Sequence, residues 1–427
     1  MPSPKRITRA ASRWVFRCVA IHPNRMATFF NTVRITNFKS LKDVTLSDCK
    51  RINLLIGKPN VGKSNILEAI GLFSLPYFQY NKSKKLTQFV RLENIAELFF
   101  DGNIGDEISI RADDNSSCIV KYLDRLFIQK ESFVSFYIES TQDTIKQISP
   151  VMVDEQFNLG INNHGFSEKE VEEIKNKIIE IEKKFNNGIE LSLEDNRIMI
   201  QWKKIGRINT IYIDKRNQKK RDRSQPKVKY YKFTHDFVFK KQAIRHPYLI
   251  PPVGVNLIEA IQESKIDKEL ADIFAEYGLK LLFDKTNNTL RIMKTLKEEN
   301  TMVSFPYSSI ADTLQRVIFF KTAIASNQNS ILLFEEPEAH CFPPYIRQIT
   351  QDILDSETNQ FFIATHSPYV LNDFLEYERN DVAIFIANFK NGETVIRRLT
   401  DEEVNDVYQY GIDLFFNHEL FTDDQEH

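Results

Sequence analysis

The stretch "RINLLIGKPNVGKSNILEAI", residues Arg51–Ile70, sets a glycine, four residues and then Gly-Lys-Ser between an apolar run and a helical pattern. After the loop, Ile66, Leu67, Ile70 and Phe73 recur at helical spacing. Strand, loop and helix in that order is the context in which G-x-x-x-x-G-K-[ST] cradles phosphate. Glycines there let backbone N–H groups close around phosphate oxygens. The pattern therefore assigns Gly57, Lys58, Pro59, Asn60, Val61, Gly62, Lys63, Ser64 and the adjoining Asn65 to nucleotide binding. Lys63 neutralises charge on the β- and γ-phosphates and Ser64 offers a hydroxyl to Mg²⁺. The helix that starts at this point turns its positive end toward the anion.

Two further strands end in groups that suit the same ligand. "SILLF", residues Ser330–Phe334, is a buried-strand run that leads into Glu335-Glu336-Pro337-Glu338. A carboxylate at the end of a core strand is costly unless it meets a cation, and the Mg²⁺ held by Ser64 is the obvious one. Glu335 is thus the metal carboxylate, direct or through an intervening ligand, and Glu336 the base that orients the attacking water. An acidic strand end entering a proline turn is the plainer account of the same letters. "QFFIATHSP" carries Thr365 and His366 at its carboxyl end. Ligands of open α/β sheets sit beyond such ends, so His366 is set to hydrogen-bond the γ-phosphate or the water. A purely structural histidine is the alternative.

The bulk properties frame these motifs. A chain of 427 residues accommodates two or three units. With 42% hydrophobic and 27% charged residues and a net charge of −1, it is no polycation, so any nucleic-acid contact must come from a local patch. Cys18, Cys49, Cys118 and Cys341 lack metal-ligand spacing and suit reduced thiols in a cytoplasm. No apolar run approaches the roughly 20 residues that cross a bilayer, so no membrane partner is expected.

Residues 1–25 carry six Lys or Arg and no acid, and Met26 then opens a sequence that reads like a natural start. A transit peptide, a nucleic-acid arm, upstream translation and a loose tail all fit the leader, with disorder expected. From 26 to 165, strands "NTVRITNFKSL", "DVTLS" and "RINLLIG" precede the loop, and a strand meander follows between about Glu93 and Gln156. The segment 166–250 reads as an insertion of helix, strand and basic loop. Its Val171, Ile174, Ile178, Ile181 and Phe185 form a short heptad seam, packed on a core or on a partner. Strands "IELSLEDNRIMIQWKK" and "GRINTIYI" follow. Between Lys215 and Lys232, basic residues far outnumber acids and Tyr230, Tyr231 and Phe233 adjoin. That interleaving suits nucleic acid, and a solvated loop equally. The lobe 251–427 returns to alternating helix and strand and carries both acidic and histidine motifs.

Together "ITNFKSL", "LLIGKPNVGKSNILEAI", "ILLFEEPEAH" and "FFIATHSPYVL" resemble the ABC-type ATPase heads of the overcoming-lysogenisation-defect and RecF-like group, which are related to SMC heads. The resemblance runs from about Met26 to Phe374. It implies an α/β fold of P-loop NTPase type, a mixed central sheet flanked by helices, with an inserted α+β subdomain. It also implies a Walker A loop at Gly57–Ser64, a Walker B strand ending at Glu335-Glu336, a switch histidine at His366, and ATP with Mg²⁺ sandwiched between two heads of a homodimer or larger homo-oligomer. Gln88 stands as a candidate for the glutamine that usually follows Walker A. "PYSSIADTLQRVIFFKTAI" stands where such heads carry a Ser-Gly-Gly signature: Ser308 matches its serine, while Ile310 and Ala311 replace glycine. By the resemblance Ser308 reaches nucleotide on the partner head. Read alone, Ser309-Ile310-Ala311-Asp312 is a capping box that starts a helix.

Many relatives of the overcoming-lysogenisation-defect type continue into a Toprim nuclease, whereas the residues after "THSPYVLN" are expected only to close the head's own sheet. Standalone heads of this kind occur in prokaryotic antiphage loci beside a separate nuclease or toxin. The resemblance thus implies an ATPase switch that controls a separate effector. The alternatives are a RecF-like DNA repair ATPase, with the Lys215–Lys232 patch as its support, and a nucleotide-dependent scaffold with little turnover.

Overall fold

The computed structural model describes residues 29–80, 86–113, 117–122, 126–131, 137–139, 169, 172, 189–194, 197–204, 207–214, 228–235, 244, 246–284, 286–296 and 301–421. The leader 1–25, most of the heptad segment and the basic run 215–227 lie outside them.

The chain opens with a hairpin, β1 (Val33–Phe38) and β2 (Leu41–Leu46), and then β3 (Ile52–Ile56), the loop and helix α1 (Lys63–Gly71). β4 (Ile108–Ala112), β5 (Ser117–Tyr122), β6 (Leu126–Glu131) and β7 (Tyr137–Glu139) form an antiparallel meander that joins β1, giving the order β2-β1-β4-β5-β6-β7. β8 (Ile189–Glu194), β9 (Arg197–Lys204) and β10 (Arg207–Asp214) form a second antiparallel sheet. β11 (Val228–Tyr231) returns to the core, followed by α2 (Leu257–Ser264), α3 (Asp267–Ala275) and the antiparallel β12 (Leu279–Asp284), β13 (Thr289–Leu296) and β14 (Thr301–Pro306). Then come α4 (Asp312–Ala325), β15 (Ile331–Glu335), α5 (Pro343–Asp355), β16 (Gln360–Ala364), α6 (Pro368–Tyr377), β17 (Val382–Lys390), β18 (Glu393–Arg398) and α7 (Asp401–Tyr410).

The central sheet runs β11-β15-β16-β3-β17-β18. Its first five strands are parallel and β18 is antiparallel, so the sheet is mixed. Every residue of β3, and of β16, is buried, because both faces of the sheet are covered. Ile52, Leu54, Ile56, Leu332, Phe334 and Ile363 face the helical layer of α2 to α7, where Leu270, Phe274, Val317, Phe320, Ile349 and Phe374 meet them. The alternate residues Leu55, Leu333, Phe362 and Phe385 face α1 and the β1-β2-β4 sheet through Ile66, Leu67, Ile70, Val33 and Ile110. The period-two swap of side chains between faces thus builds two cores on one sheet. This is an α/β fold with a mixed central sheet flanked by helices, in which α1 and an antiparallel sheet form one of the outer layers.

Two local expectations are corrected. Tyr230 and Tyr231 do not face solvent: β11 is buried throughout, with both rings wholly inside, and Phe233 packs on the Phe319 ring. A strand of four residues paired to the core strand β15 uses its aromatics as packing, so they are no stacking surface for bases. The capping box is also absent. Helix α4 begins after Ala311 with no side-chain cap, since buried Ile310 holds the chain extended, and Asp312 is engaged by His235 at 3.0 Å and Arg316 at 3.2 Å.

Candidate functional site

Parallel pairing brings the carboxyl ends of β15, β16 and β3 side by side. Glu335 lies opposite Ala364, and Ala364 opposite Leu55. The loop after β3, the acidic turn after β15 and Thr365-His366 after β16 therefore emerge at one edge. Sheet register alone accounts for their meeting, although they are distant in sequence.

Within the loop, Gly57 has φ +152° and Gly62 +101°. A Cβ on Gly57 would stand 2.2 Å from the Ala387 carbonyl oxygen, and one on Gly62 2.1 Å from the Thr394 hydroxyl. These two glycines are thus demanded by close approach as well as by backbone conformation. Thr394 buttresses the loop: its hydroxyl donates to the Val61 carbonyl at 2.9 Å and pairs with the Ser40 hydroxyl at 2.7 Å. Asn65 in turn donates to Ser40 at 2.8 Å, so the loop is tied to the β1-β2 turn and to β18. Neither Ser40 nor Thr394 was singled out in the sequence, because no local pattern links them to the loop.

Lys63 is buried, and its Nζ donates to the carbonyls of Gly57 at 2.8 Å and Lys58 at 2.7 Å. Burial lowers its pKa to about 8 against the opposing charges of Glu336 and Glu335. Helix α1 begins without a side-chain cap, so its first N–H groups remain available to an anion.

Glu335 is mostly buried. Burial alone would push its carboxyl up, but the nearby Ser64 hydroxyl and the charges of Arg91 and Lys232 outweigh that and hold it below the usual carboxylate range. Its Oε2 accepts from the Tyr230 hydroxyl at 3.1 Å and its Oε1 meets the Arg91 guanidinium. Glu336 has φ +43° and its N–H donates to the Ala364 carbonyl at 2.9 Å. A left-handed conformation at a non-glycine residue stores strain of about 1–3 kcal/mol, a common mark of functional turns. The His366 Nε2 lies 3.6 Å from the Glu336 carboxylate. Burial lowers the pKa of this imidazole and the Lys63 charge lowers it further, with Glu336 opposing, which favours the neutral ring.

Several participants were invisible beforehand. Glu338 is buried, accepts from the Thr365 hydroxyl at 2.5 Å and from the His366 N–H at 3.1 Å, and so fixes the turn that carries the imidazole. Burial, as the largest influence, raises its pKa. Glu68 of α1 is wholly buried and gathers Lys39 at 2.6 Å, the Arg91 Nε and backbone N–H at 3.0 Å each, and Lys232 at 3.8 Å. The one available signal was an acid between Leu67 and Ala69 on a helix otherwise facing the core.

Lys63, Ser64, Glu335, Glu336 and His366 are therefore drawn together. Ser308 lies exposed on the short turn Tyr307–Ser309 between β14 and α4, outside this network. Gln88 lies on a single turn, Leu86–Gln88, with its Oε1 buried and without a hydrogen bond. Lys229 is buried beside Asn327, Ser330 and Tyr248, and Lys232 faces Glu68, so neither end of the described part of the basic patch projects as a free cation. No described helix is long and apolar enough to cross a membrane.

The family described as "AAA ATPase domain" matches residues 29–371. Among curated proteins, the uncharacterized protein MJECL10 of Methanocaldococcus jannaschii is 29% identical over 98 residues, 21% of this chain and 45% of that one. Protein ea59 of Escherichia phage lambda is 25% identical over 123 residues, 28% of this chain and 20% of that one. The matches thus span less than half the length of either relative. Among solved structures, an Smc head with an extended coiled coil bound to the C-terminal domain of ScpA, derived from Pyrococcus furiosus, is 12% identical, with TM-score 0.40, covering 90% of this chain and 99% of that one. The SMC head domain of Thermotoga maritima is 9% identical, with TM-score 0.34, covering 87% and 99%. Since the family match extends over most of the sequence and includes the loop Gly57–Ser64, the chain belongs to the AAA ATPase domain family.

Proposed function

We propose that this chain is an ATP-binding and ATP-hydrolysing switch. The observation that carries the reading is the convergence of Lys63, Glu335, Glu336 and His366 at the carboxyl edge of one sheet, with the Ser64 hydroxyl near the Glu335 carboxylate. The donor set suits a Mg²⁺ nucleotide: an uncapped helix start, a buried lysine, one hydroxyl and one carboxylate held ionised. Among the described residues no cluster of three His, Cys, Asp or Glu could cage a metal, which fits an ion that takes most of its ligands from phosphate and water. When bound, Mg²⁺ supplies neutralisation of charge on the β- and γ-oxygens.

In this reading Lys63 exchanges its two carbonyl partners for phosphate, and the backbone of Gly57–Asn65 wraps the anion. Ser64 and Glu335 hold the ion. Glu336 takes or directs the proton of the attacking water, and neutral His366 bonds the γ-phosphate or that water. Ser308 of one copy contacts nucleotide on another in a homodimer or larger assembly. The nucleotide state governs a separate effector, a nuclease or toxin, in cytoplasmic prokaryotic antiphage defence. Support for that assembly and role comes from the resemblance of the motifs to overcoming-lysogenisation-defect and RecF-like heads. Lobes at 26–165 and 251–427, with 166–250 inserted, belong to the same proposal.

Two variants test the core of it. Lys63→Ala should abolish ATP binding measured by calorimetry, while Glu336→Gln should retain binding and lose phosphate release. ATP binding by Lys63→Ala at the parental affinity would overturn the reading.

A further inference from the structure

Arg91 touches two carboxylates at once. Its backbone N–H and Nε both donate to the Glu68 Oε1 at 3.0 Å, its Nη2 reaches the Glu335 Oε1, and its carbonyl accepts from Lys39 at 2.5 Å. Three of these four contacts secure the residue to α1 and to Lys39. Only the Nη2 end engages Glu335, and the side chain as a whole is 58% exposed.

Both oxygens of the Glu335 carboxylate are engaged: Oε1 by the Arg91 guanidinium and Oε2 by the Tyr230 hydroxyl, with the Ser64 hydroxyl close by. A divalent ion held by Ser64 and Glu335 would draw on the same carboxylate charge that the Arg91 guanidinium neutralises. A cation of charge +1 and one of charge +2 sharing that carboxylate would repel each other strongly in a half-buried setting.

We propose that Arg91 is a positioning residue that competes with the divalent cation for Glu335, so that seating Mg²⁺ nucleotide requires Nη2 to leave this carboxylate while Nε and the backbone N–H stay on Glu68. The inference rests on the reading of Glu335 as the metal carboxylate. The exchange leaves no buried charge unpaired: Glu68 retains Lys39 and the Arg91 Nε, Glu335 takes the ion, and the freed guanidinium end turns to water. Arg91 thereby raises the threshold for metal-loaded nucleotide without opposing the phosphates themselves.

The test is equilibrium binding of ADP to the full chain, with Mg²⁺ and with EDTA, for the parental protein, Arg91→Gln and Arg91→Lys. Removing a charge-assisted competitor predicts that Arg91→Gln tightens Mg²⁺·ADP roughly tenfold and leaves metal-free ADP unchanged. Arg91→Lys, whose single ammonium cannot hold both carboxylates, should tighten it less, and it decides the matter if the Gln variant fails to fold. Unchanged or weaker Mg²⁺·ADP binding in the folded variants overturns the inference, and a parallel loss of metal-free ADP would make Arg91 a phosphate ligand instead. A parental protein that binds neither nucleotide form removes the site itself, which is a different failure.

Discussion

The Ser64 hydroxyl lies close enough to the Glu335 carboxylate to help hold it ionised, linking the first turn of α1 to the end of β15. If both groups hold one ion, their effects on Mg²⁺·ATP binding must be coupled. Ser64→Ala and Glu335→Gln should each weaken Mg²⁺·ATP binding by about tenfold or more, and the double variant little more than either, while ATP in EDTA binds as before. Calorimetric titration of all four proteins measures the cycle, and simple additivity would separate the two residues.

Glu336 and His366 stand 3.6 Å apart beyond two adjacent strands. A positioned base contributes about 10²–10⁴ in rate, so Glu336→Gln should lower ATP turnover on that scale at unchanged affinity. Gln matches the shape of Glu and leaves the left-handed backbone intact, so binding is the internal control for folding. Hydrolysis at the parental rate in this variant would take the base assignment away from Glu336.

Gly62 tests the loop through its backbone. Alanine there meets the Thr394 hydroxyl at 2.1 Å and the Ser40 hydroxyl at 2.9 Å, at a φ of +101°. Strain of about 1–3 kcal/mol plus the collision should lower the melting temperature by several degrees and weaken ATP binding. Differential scanning calorimetry and nucleotide titration read the two effects separately.

Glu68 holds the ionic cluster next to the site. Glu68→Ala strands Lys39 and Lys232 in a half-buried setting and frees the exposed Arg91, so the loss should be about 2–4 kcal/mol, less than for a fully buried triad. Urea unfolding with an unchanged denaturant slope would report it. A midpoint equal to the parental one would mean that the cluster contributes nothing to stability.

The backbone demands of the loop Gly57 to Ser64 were legible because they are local and carried in eight consecutive letters. The mostly buried carboxylate at the end of β15 was legible because a uniformly apolar strand that ends in acids raises an electrostatic question by itself. Glu68, Arg91, Lys39 and Lys232 were not, since they approach one another only after β1, α1 and β11 have packed, and each alone reads as an ordinary surface charge. Tyr230 and Tyr231 misled for a related reason. Aromatics beside a basic run describe a stacking surface and a short buried strand equally well, and only pairing with β15 separates the two. The helix start at Asp312 escaped because buried Ile310 overrode a favourable local capping pattern.

Lys229 gives the last prediction. Its ammonium lies among Asn327, the Ser330 hydroxyl at 3.0 Å and the Tyr248 ring at 3.7 Å, and burial lowers its pKa from 10.5 to about 7. Because the folded value is depressed, the unfolded chain holds this proton more tightly between about pH 7 and 10.5, and stability gains from Lys229 as pH rises through that window. Below pH 7 both states are protonated and the cost of the buried charge is fully present. Lys229→Met removes the titration, so its stability advantage over the parental protein should be greatest near pH 6.5 and shrink toward pH 9 by at most about 1.4 kcal/mol per unit. Urea midpoints for the two proteins at both pH values measure the difference. A gap that does not change with pH would mean that the lysine stays charged in the fold.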